Sequence, residues 1–159
     1  MELLWLALPG LVIWASILLL PWRPWSTQEA LEADSSCSPD LSQVTVLIPA
    51  RNEQDVIAQT LAALTQQGQG HKIILIDDQS SDNTVAVASK LDLDNLSIIK
   101  GLPLAPGWSG KLWALEQARH HAGTDYLLLL DADIELKPGT LAALLAKIKT
   151  DQRQLVSLM

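Results

Sequence analysis

Residues 126–134 read YLLLLDADI, an apolar run that ends in two aspartates, Asp131 and Asp133. Unbroken leucines are the pattern of a strand buried on both faces, as in a parallel sheet covered by helices. In an extended strand residues i and i+2 project from the same side, so the two carboxylates can converge on one cation or one ligand. Aspartate also commonly ends strands and caps helices, and a single D-x-D does not separate the two uses.

Working outward, short apolar runs alternate with longer amphipathic ones from Val44 onward. VTVLIPA reads as a strand, and EQDVIAQTLAALTQQ then places Val56, Ile57, Thr60, Leu61 and Leu64 at helical spacing before Gly68 and Gly70 stop it. KIILIDD is a second strand, leading to a helix that Asp82 or a neighbouring serine caps and that carries Val85, Ala88 and Leu91. LSIIKG is a third strand. The loop GLPLAPGWSG opens into KLWALEQARHHAG, where Leu112, Leu115 and Ala118 can face a core and Trp113 reads as core. Pro138 suits the first turn of a helix bearing Leu141, Leu144, Leu145 and Ile148, and LVSLM reads as the beginning of a fifth strand. This alternation predicts an α/β fold with a Rossmann-like, open, mostly parallel sheet. Ligands of such sheets bind beyond the carboxyl ends of the strands, near the reversal of strand order. PARNE, DDQSSDNT and DAD cluster polar residues at three such ends.

The chain has 159 residues, 48% of them hydrophobic, enough for one packed domain. Its apolar content is uneven. Residues 3–22 carry no charge, and at ~1.5 Å per helical residue they reach ~30 Å, the thickness of a bilayer's hydrocarbon core. Residues 1–25 therefore read as an uncleaved transmembrane anchor, with Trp22 and Trp25 as interfacial aromatics and Arg23 favouring a cytoplasmic C-terminal flank. Residues 26–43, with Glu29, Glu32, Asp34 and Asp40 and no basic residue, read as an acidic linker, and 44–159 as the folded domain. A net charge of −7 argues against nucleic-acid binding, and no protein partner is identifiable. Cys37 is the only cysteine, which excludes an intramolecular disulfide.

Carboxylates with water are the hard oxygen ligands that Mg2+ or Mn2+ takes, commonly through one or two protein carboxylates plus substrate phosphates. Asp131 and Asp133 fit that use. Of Asp77 and Asp78, one can cap a turn while the other, expected to be Asp78, receives ribose hydroxyls. Lys111, at a loop-to-helix junction, can neutralise a phosphate or stand as a solvated surface charge. Trp108 can line a sugar or lipid pocket. His71, His120 and His121 have no metal-ligand spacing and read as surface residues. No G-x-G-x-x-G, Walker loop or G-x-S-x-G occurs.

Together, VTVLIPARNE, ILIDDQSSDNT and YLLLLDADI resemble the nucleotide-sugar-binding half of family 2 glycosyltransferases, inverting enzymes of the A-type glycosyltransferase fold. LPLAPGWSGKLWAL, with the leading apolar segment, resembles the narrower hopene-associated group. The resemblance implies a membrane-anchored, single-pass transferase facing the cytoplasm that moves a sugar from a nucleotide-diphosphate donor to a lipid, such as a hopanoid or other terpenoid. By position it implies that Pro49, Ala50, Arg51, Asn52 and Glu53 line the nucleobase pocket. Asp78 would hold the nucleoside, Lys111 would lie near the nucleotide, and Asp131 and Asp133 would bind Mg2+ or Mn2+ at the diphosphate. The general base of that family is expected beyond Met159, so residues 44–159 read as a truncated, donor-binding half that is inactive alone. A nucleotidyltransferase and a non-catalytic nucleotide-binding or regulatory module are the alternatives, although PARNE lacks the glycine-rich basic loop of the former.

Overall fold

The computed structural model describes residues 3–19, 31–33 and 39–158. They divide between two compact units, Met1–Ala30 and Leu31–Met159. In the first, α1 (Leu3–Leu19) has 17 residues, with Pro9 inside it and no charged side chain. At ~1.5 Å per residue that is roughly 25 Å, short of a ~30 Å hydrocarbon core. Among the described residues no helix is long and apolar enough to cross a membrane. Residues 20–25, which complete the span that the sequence suggests, lie outside the described residues.

The second unit runs β1 (Val44–Ala50), α2 (Ile57–Thr65), β2 (Lys72–Asp77), α3 (Thr84–Ser89), β3 (Leu96–Lys100), α4 (Gly110–Arg119), β4 (Tyr126–Leu129) and α5 (Thr140–Asp151). The sheet order is β3-β2-β1-β4 and every pairing is parallel. Successive side chains of a strand face opposite ways, and β1 and β2 are apolar at nearly every position, so helices must cover both faces. Val44, Val46, Ile48 and Ala50, with Ile73 and Leu75, join Ile57, Leu61 and Leu64 of α2, Ala88 of α3 and Leu141 of α5. On the other face Leu47, Ile74 and Ile76 pack against Ala114 and Ala118 of α4. Full burial of one such aliphatic side chain contributes about 1.5–3 kcal/mol.

Several expectations are corrected. β4 has four residues and is buried on one face only: Leu127 and Leu129 are 40% and 60% exposed. They share the face of Leu47 through the β1–β4 register, where α4 packs on β1 and β2. Leu112 is exposed because Ala114 and Ala118, one turn apart, set the inward face of α4, and two residues rotate a helix by about 200°. Trp113 braces a loop instead of the core, its Nε1 donating to the Pro103 carbonyl at 3.0 Å and its ring lying 5.5 Å from Trp108. Residues 155–158 form no strand. Leu41, assigned by sequence to the linker, is fully buried, and its amide donates to the Gln69 carbonyl at 2.7 Å. Cys37 and the other linker residues between 34 and 38 lie outside the described residues.

His71 is the sharpest correction. It is 2% exposed, and neither ring nitrogen has a hydrogen-bond partner among the described residues. Burial disfavours the charged imidazolium and lowers its pKa below the ordinary 6.5. Below that value the unfolded chain takes up a proton that the folded chain resists, so stability falls as pH falls. Urea unfolding in mild detergent between about pH 7.5 and about 5.5 is expected to show a falling midpoint. His71→Leu should flatten that slope, and an equal slope in the variant would exclude His71 as its source.

Candidate active site

The chain steps outward from β1 to β2 to β3 and then returns to place β4 on the other side of β1. The loops leaving β1 and β4 therefore diverge at this switch point and open a crevice. A cleft of about 440 Å³ lies there, lined by Pro49, Ala50, Arg51, Glu53, Asp78, Gly110, Lys111, Asp131, Ala132 and Asp133. A larger cleft of about 910 Å³ lies at the ends of β2 and β3, lined by residues that include Asp77, Lys100 and Leu102. The smaller one gathers the strand-end charges.

Of the residues expected from sequence, only Asn52 is outside the cleft lining. Its backbone is left-handed, at φ 58°, a conformation asparagine tolerates well. Its side-chain oxygen accepts from the Ser81 amide at 2.8 Å, and its own amide donates to Ser80 Oγ at 3.0 Å. The Glu53 amide donates to Thr84 Oγ1 at 2.8 Å and the Gln54 amide to Asp82 Oδ2 at 3.2 Å. PARNE and DDQSSDNT are thus laced into one wall. Burial pushes the Asp82 carboxyl up, but bonds from the Thr84 side chain and backbone outweigh it and hold the pKa below the usual aspartate value.

Asp77 and Asp78 divide their work. Asp77 is buried and accepts the Ser80 amide at 3.0 Å, closing the turn after β2. Asp78 faces the cleft with Arg51 Nη1 at 3.7 Å. Gly110 abuts it: a Cβ there would stand 3.0 Å from Asp78 Oδ2, so any larger residue at the start of α4 would press on that carboxylate. Across the cleft, Lys111 Nζ lies 2.6 Å from Asp131 Oδ1, with both side chains about half-exposed.

Asp131 and Asp133 lie past the end of β4, in a turn closed by the Ile134 amide on the Asp131 carbonyl at 3.2 Å. A turn, and not a strand's alternation, brings both to the cleft. The buried Ala132 between them is held by Thr60 Oγ1, which donates to its carbonyl at 2.7 Å. Gln67 continues the clamp: its amide nitrogen donates to the carbonyls of Leu136 and Lys137, and its oxygen accepts the Leu141 amide. Sequence reading took Thr60 as a helical core position and did not single out Gln67 or Gly110; the signal was a hydroxyl and an amide on the buried face of a helix.

Two carboxylates from one turn suit a hard divalent ion shared with a phosphate ligand. Among the described residues no group of three or more His, Cys, Asp or Glu could hold a metal ion by itself. The donor set therefore fits an ion that arrives with, and is completed by, a phosphate-bearing molecule.

Fold and cleft together define an α/β nucleotide-type binding domain, and comparison with known proteins gives its family. Residues 45–158 match the model for glycosyl transferase family 2, and the chain belongs to that family. It is 31% identical over 93 residues to the 4,4'-diaponeurosporenoate glycosyltransferase of Staphylococcus haemolyticus, covering 58% of this chain and 24% of that protein. It is 32% identical over 111 residues to the undecaprenyl-phosphate 4-deoxy-4-formamido-L-arabinose transferase of Salmonella paratyphi A, covering 67% and 34%. The chain thus spans about a quarter to a third of the length of these curated relatives. The fold is similar to that of S. aureus TarS 1–349 in complex with UDP-GlcNAc, with a TM-score of 0.60 at 24% identity over 69% of this chain and 32% of that one. It is also similar to glucosyl-3-phosphoglycerate synthase from Mycobacterium tuberculosis, in complex with Mn2+ and UDP, with a TM-score of 0.56 at 22% identity over 67% and 39%. Family membership supports a glycosyltransferase over a nucleotidyltransferase.

Thr60→Val keeps the side chain's shape and leaves the buried Ala132 carbonyl without its donor. The expected cost is about 1–3 kcal/mol in urea unfolding. Thr65→Val, whose exposed hydroxyl bonds only to Ala62 in its own helix, should stay within about 0.5 kcal/mol. Equal effects would mean that Thr60 does not hold the turn.

Proposed function

We propose that this chain carries the donor-binding half of a membrane-associated glycosyltransferase that moves a sugar from a nucleoside-diphosphate donor to a lipid. The observation that carries the reading is the convergence in one cleft of Arg51, Glu53 and Asp78 on one side with Lys111, Asp131 and Asp133 on the other. Pro49 and Ala50 supply apolar surface for a nucleobase, and Arg51 and Glu53 supply polar edges beside it. Asp78 accepts ribose hydroxyls, held in place by Arg51. Asp131 and Asp133 would hold Mg2+ or Mn2+, which when bound supplies Lewis-acid neutralisation of the charge growing on the departing diphosphate. Lys111 adds a mobile positive charge: with the cleft empty of ligand it neutralises Asp131, and with a diphosphate present it turns to the phosphate oxygens. The acceptor hydroxyl attacks the anomeric carbon from the face opposite the diphosphate, and its general base is assigned to no residue of this chain.

The lipid acceptor is supported by the names of the two relatives, which specify undecaprenyl phosphate and 4,4'-diaponeurosporenoate. A polycyclic terpenoid such as a hopanoid is the narrower form of this proposal, resting on the LPLAPGWSGKLWAL segment. Membrane association through the N-terminal region is supported by α1, which exposes Leu11, Trp14, Leu18 and Leu19 and has no charge to solvate. The domain from Val44 onward then faces the cytoplasm.

Calorimetric titration of the full chain with uridine or guanosine diphosphate tests the donor reading. Binding is expected only with Mg2+ or Mn2+. Asp133→Ala should weaken metal-dependent binding by about tenfold or more, and Asp78→Ala should weaken nucleoside affinity by a similar factor while leaving the metal requirement in place. Unchanged affinity and metal dependence in a folded Asp133→Ala chain would overturn the metal assignment. Lys111→Met should raise Mn2+ affinity in the absence of nucleotide, read by the electron paramagnetic resonance signal of free Mn2+, and lower diphosphate affinity in its presence. Equal Mn2+ affinity would show that Lys111 does not compete for Asp131.

A further inference from the structure

The segment Lys100–Leu115 differs in character from the rest of the molecule. Within a chain of net charge −7 it holds two lysines, Lys100 and Lys111, and no acidic residue. It also exposes Leu102, Leu104, Trp108 and Leu112, more large apolar side chains than a solvated loop of that length needs. Its pose is fixed from beneath. The Leu102 amide donates to Gln117 Oε1 at 2.7 Å, Trp113 Nε1 to the Pro103 carbonyl, and the Trp108 amide to the Ala105 carbonyl at 3.1 Å. Trp108 leans on Trp113 at 5.5 Å. Two backbone groups of the loop are thus bonded to α4 and a third within the loop, while its leucines face outward.

We propose that this loop and the first turn of α4 form a docking surface for an anionic lipid bilayer, seating Leu104 and Trp108 at the boundary between headgroups and acyl chains. Three observations select this partner. Tryptophan and leucine with flanking lysine suit the membrane interface, where an indole keeps its polar edge wet while its ring is buried. Lys100 is an exposed cation at the base of the loop, Lys111 being paired with Asp131 at 2.6 Å, and in an acidic molecule that cation is drawn to an anionic headgroup layer that would repel the remainder. A braced loop also loses little conformational freedom on docking, so apolar transfer is not consumed by ordering. The docked surface ends at Gly110 and Lys111, which line the donor cleft. Docking therefore brings the cleft to the depth at which a lipid acceptor presents its head. That purpose rests on the donor reading, whereas the docking itself does not.

The test uses the full chain with Cys37→Ser and a single spin label at Leu104→Cys, compared with a label at Lys90→Cys beyond α3, which packs on the opposite face of the sheet. Each is measured with vesicles of equimolar phosphatidylcholine and phosphatidylglycerol and with phosphatidylcholine alone. Docking predicts that at position 104 collisions with a water-soluble nickel complex fall severalfold and collisions with oxygen rise, more so with phosphatidylglycerol, while position 90 stays in water. Trp108→Glu should restore nickel access at 104. Nickel access at 104 equal to that at 90 in anionic vesicles would overturn the proposal. So would a label at 104 already immobilised and shielded without lipid, which would mark a protein contact. Diphosphate titration of the same labelled samples reports the donor cleft separately, so loss of docking with binding intact is distinguishable from failure of the donor reading.

Discussion

The position of β1 governs the rest of the structure. Apolar at almost every residue, it has to bury two faces, and it can do so only as an interior strand with helices above and below. β2 and β3 extend the sheet on one side of it and β4 joins the other. Interior placement therefore creates the switch point, and the switch point creates the cleft. The same strand delivers Pro49 and Ala50 into that cleft, so the requirement to bury its apolar side chains and the location of the polar site have one cause.

The cleft is a balance of charges held on separate supports. Four carboxylates and two cations line it, and they come from the loops after β1, β2 and β4 and from the start of α4. The three loops are fixed by bonds that are not themselves part of the cleft. Asn52 ties the first loop to the second, Asp77 closes the second, and Thr60 and Gln67 hold the third from the core side. An anionic ligand could not approach such carboxylates unaided, since like charges at a few ångströms repel strongly in a partly desolvated site. Lys111, half-exposed, meets part of that negative charge by pairing with Asp131.

Beside this balanced site lies a surface of different composition. The loop between β3 and α4 combines exposed leucines with lysines, and two of its backbone groups are bonded to α4. Its inward bracing explains why Trp113 is taken from the core. The sheet face that α4 covers is served by the small side chains Ala114 and Ala118, which leave no room for an indole between helix and sheet.

The amino-acid sequence by itself determined the alternation of strands and helices, the parallel class of sheet, and the three polar groups at strand ends, because apolar periodicity and turn residues act over a few neighbouring positions. PARNE, DDQSSDNT and DAD were legible as polar strand ends for the same reason. Tertiary structure decided what local pattern cannot encode. It chose which side of β1 receives β4, and so exposed Leu127 and Leu129 on an edge where four leucines suggested a strand covered on both faces. It turned α4 so that Ala114 faces inward and Leu112 outward, and it enclosed His71, which nothing in its own neighbourhood marks as buried. It gave Asp78 and Asn52 partners, Arg51 and Ser81, from loops about thirty positions away, while Asp77 closes its own local turn on Ser80. A contact of that kind depends on where two distant segments meet in space, and that is settled by packing of the core.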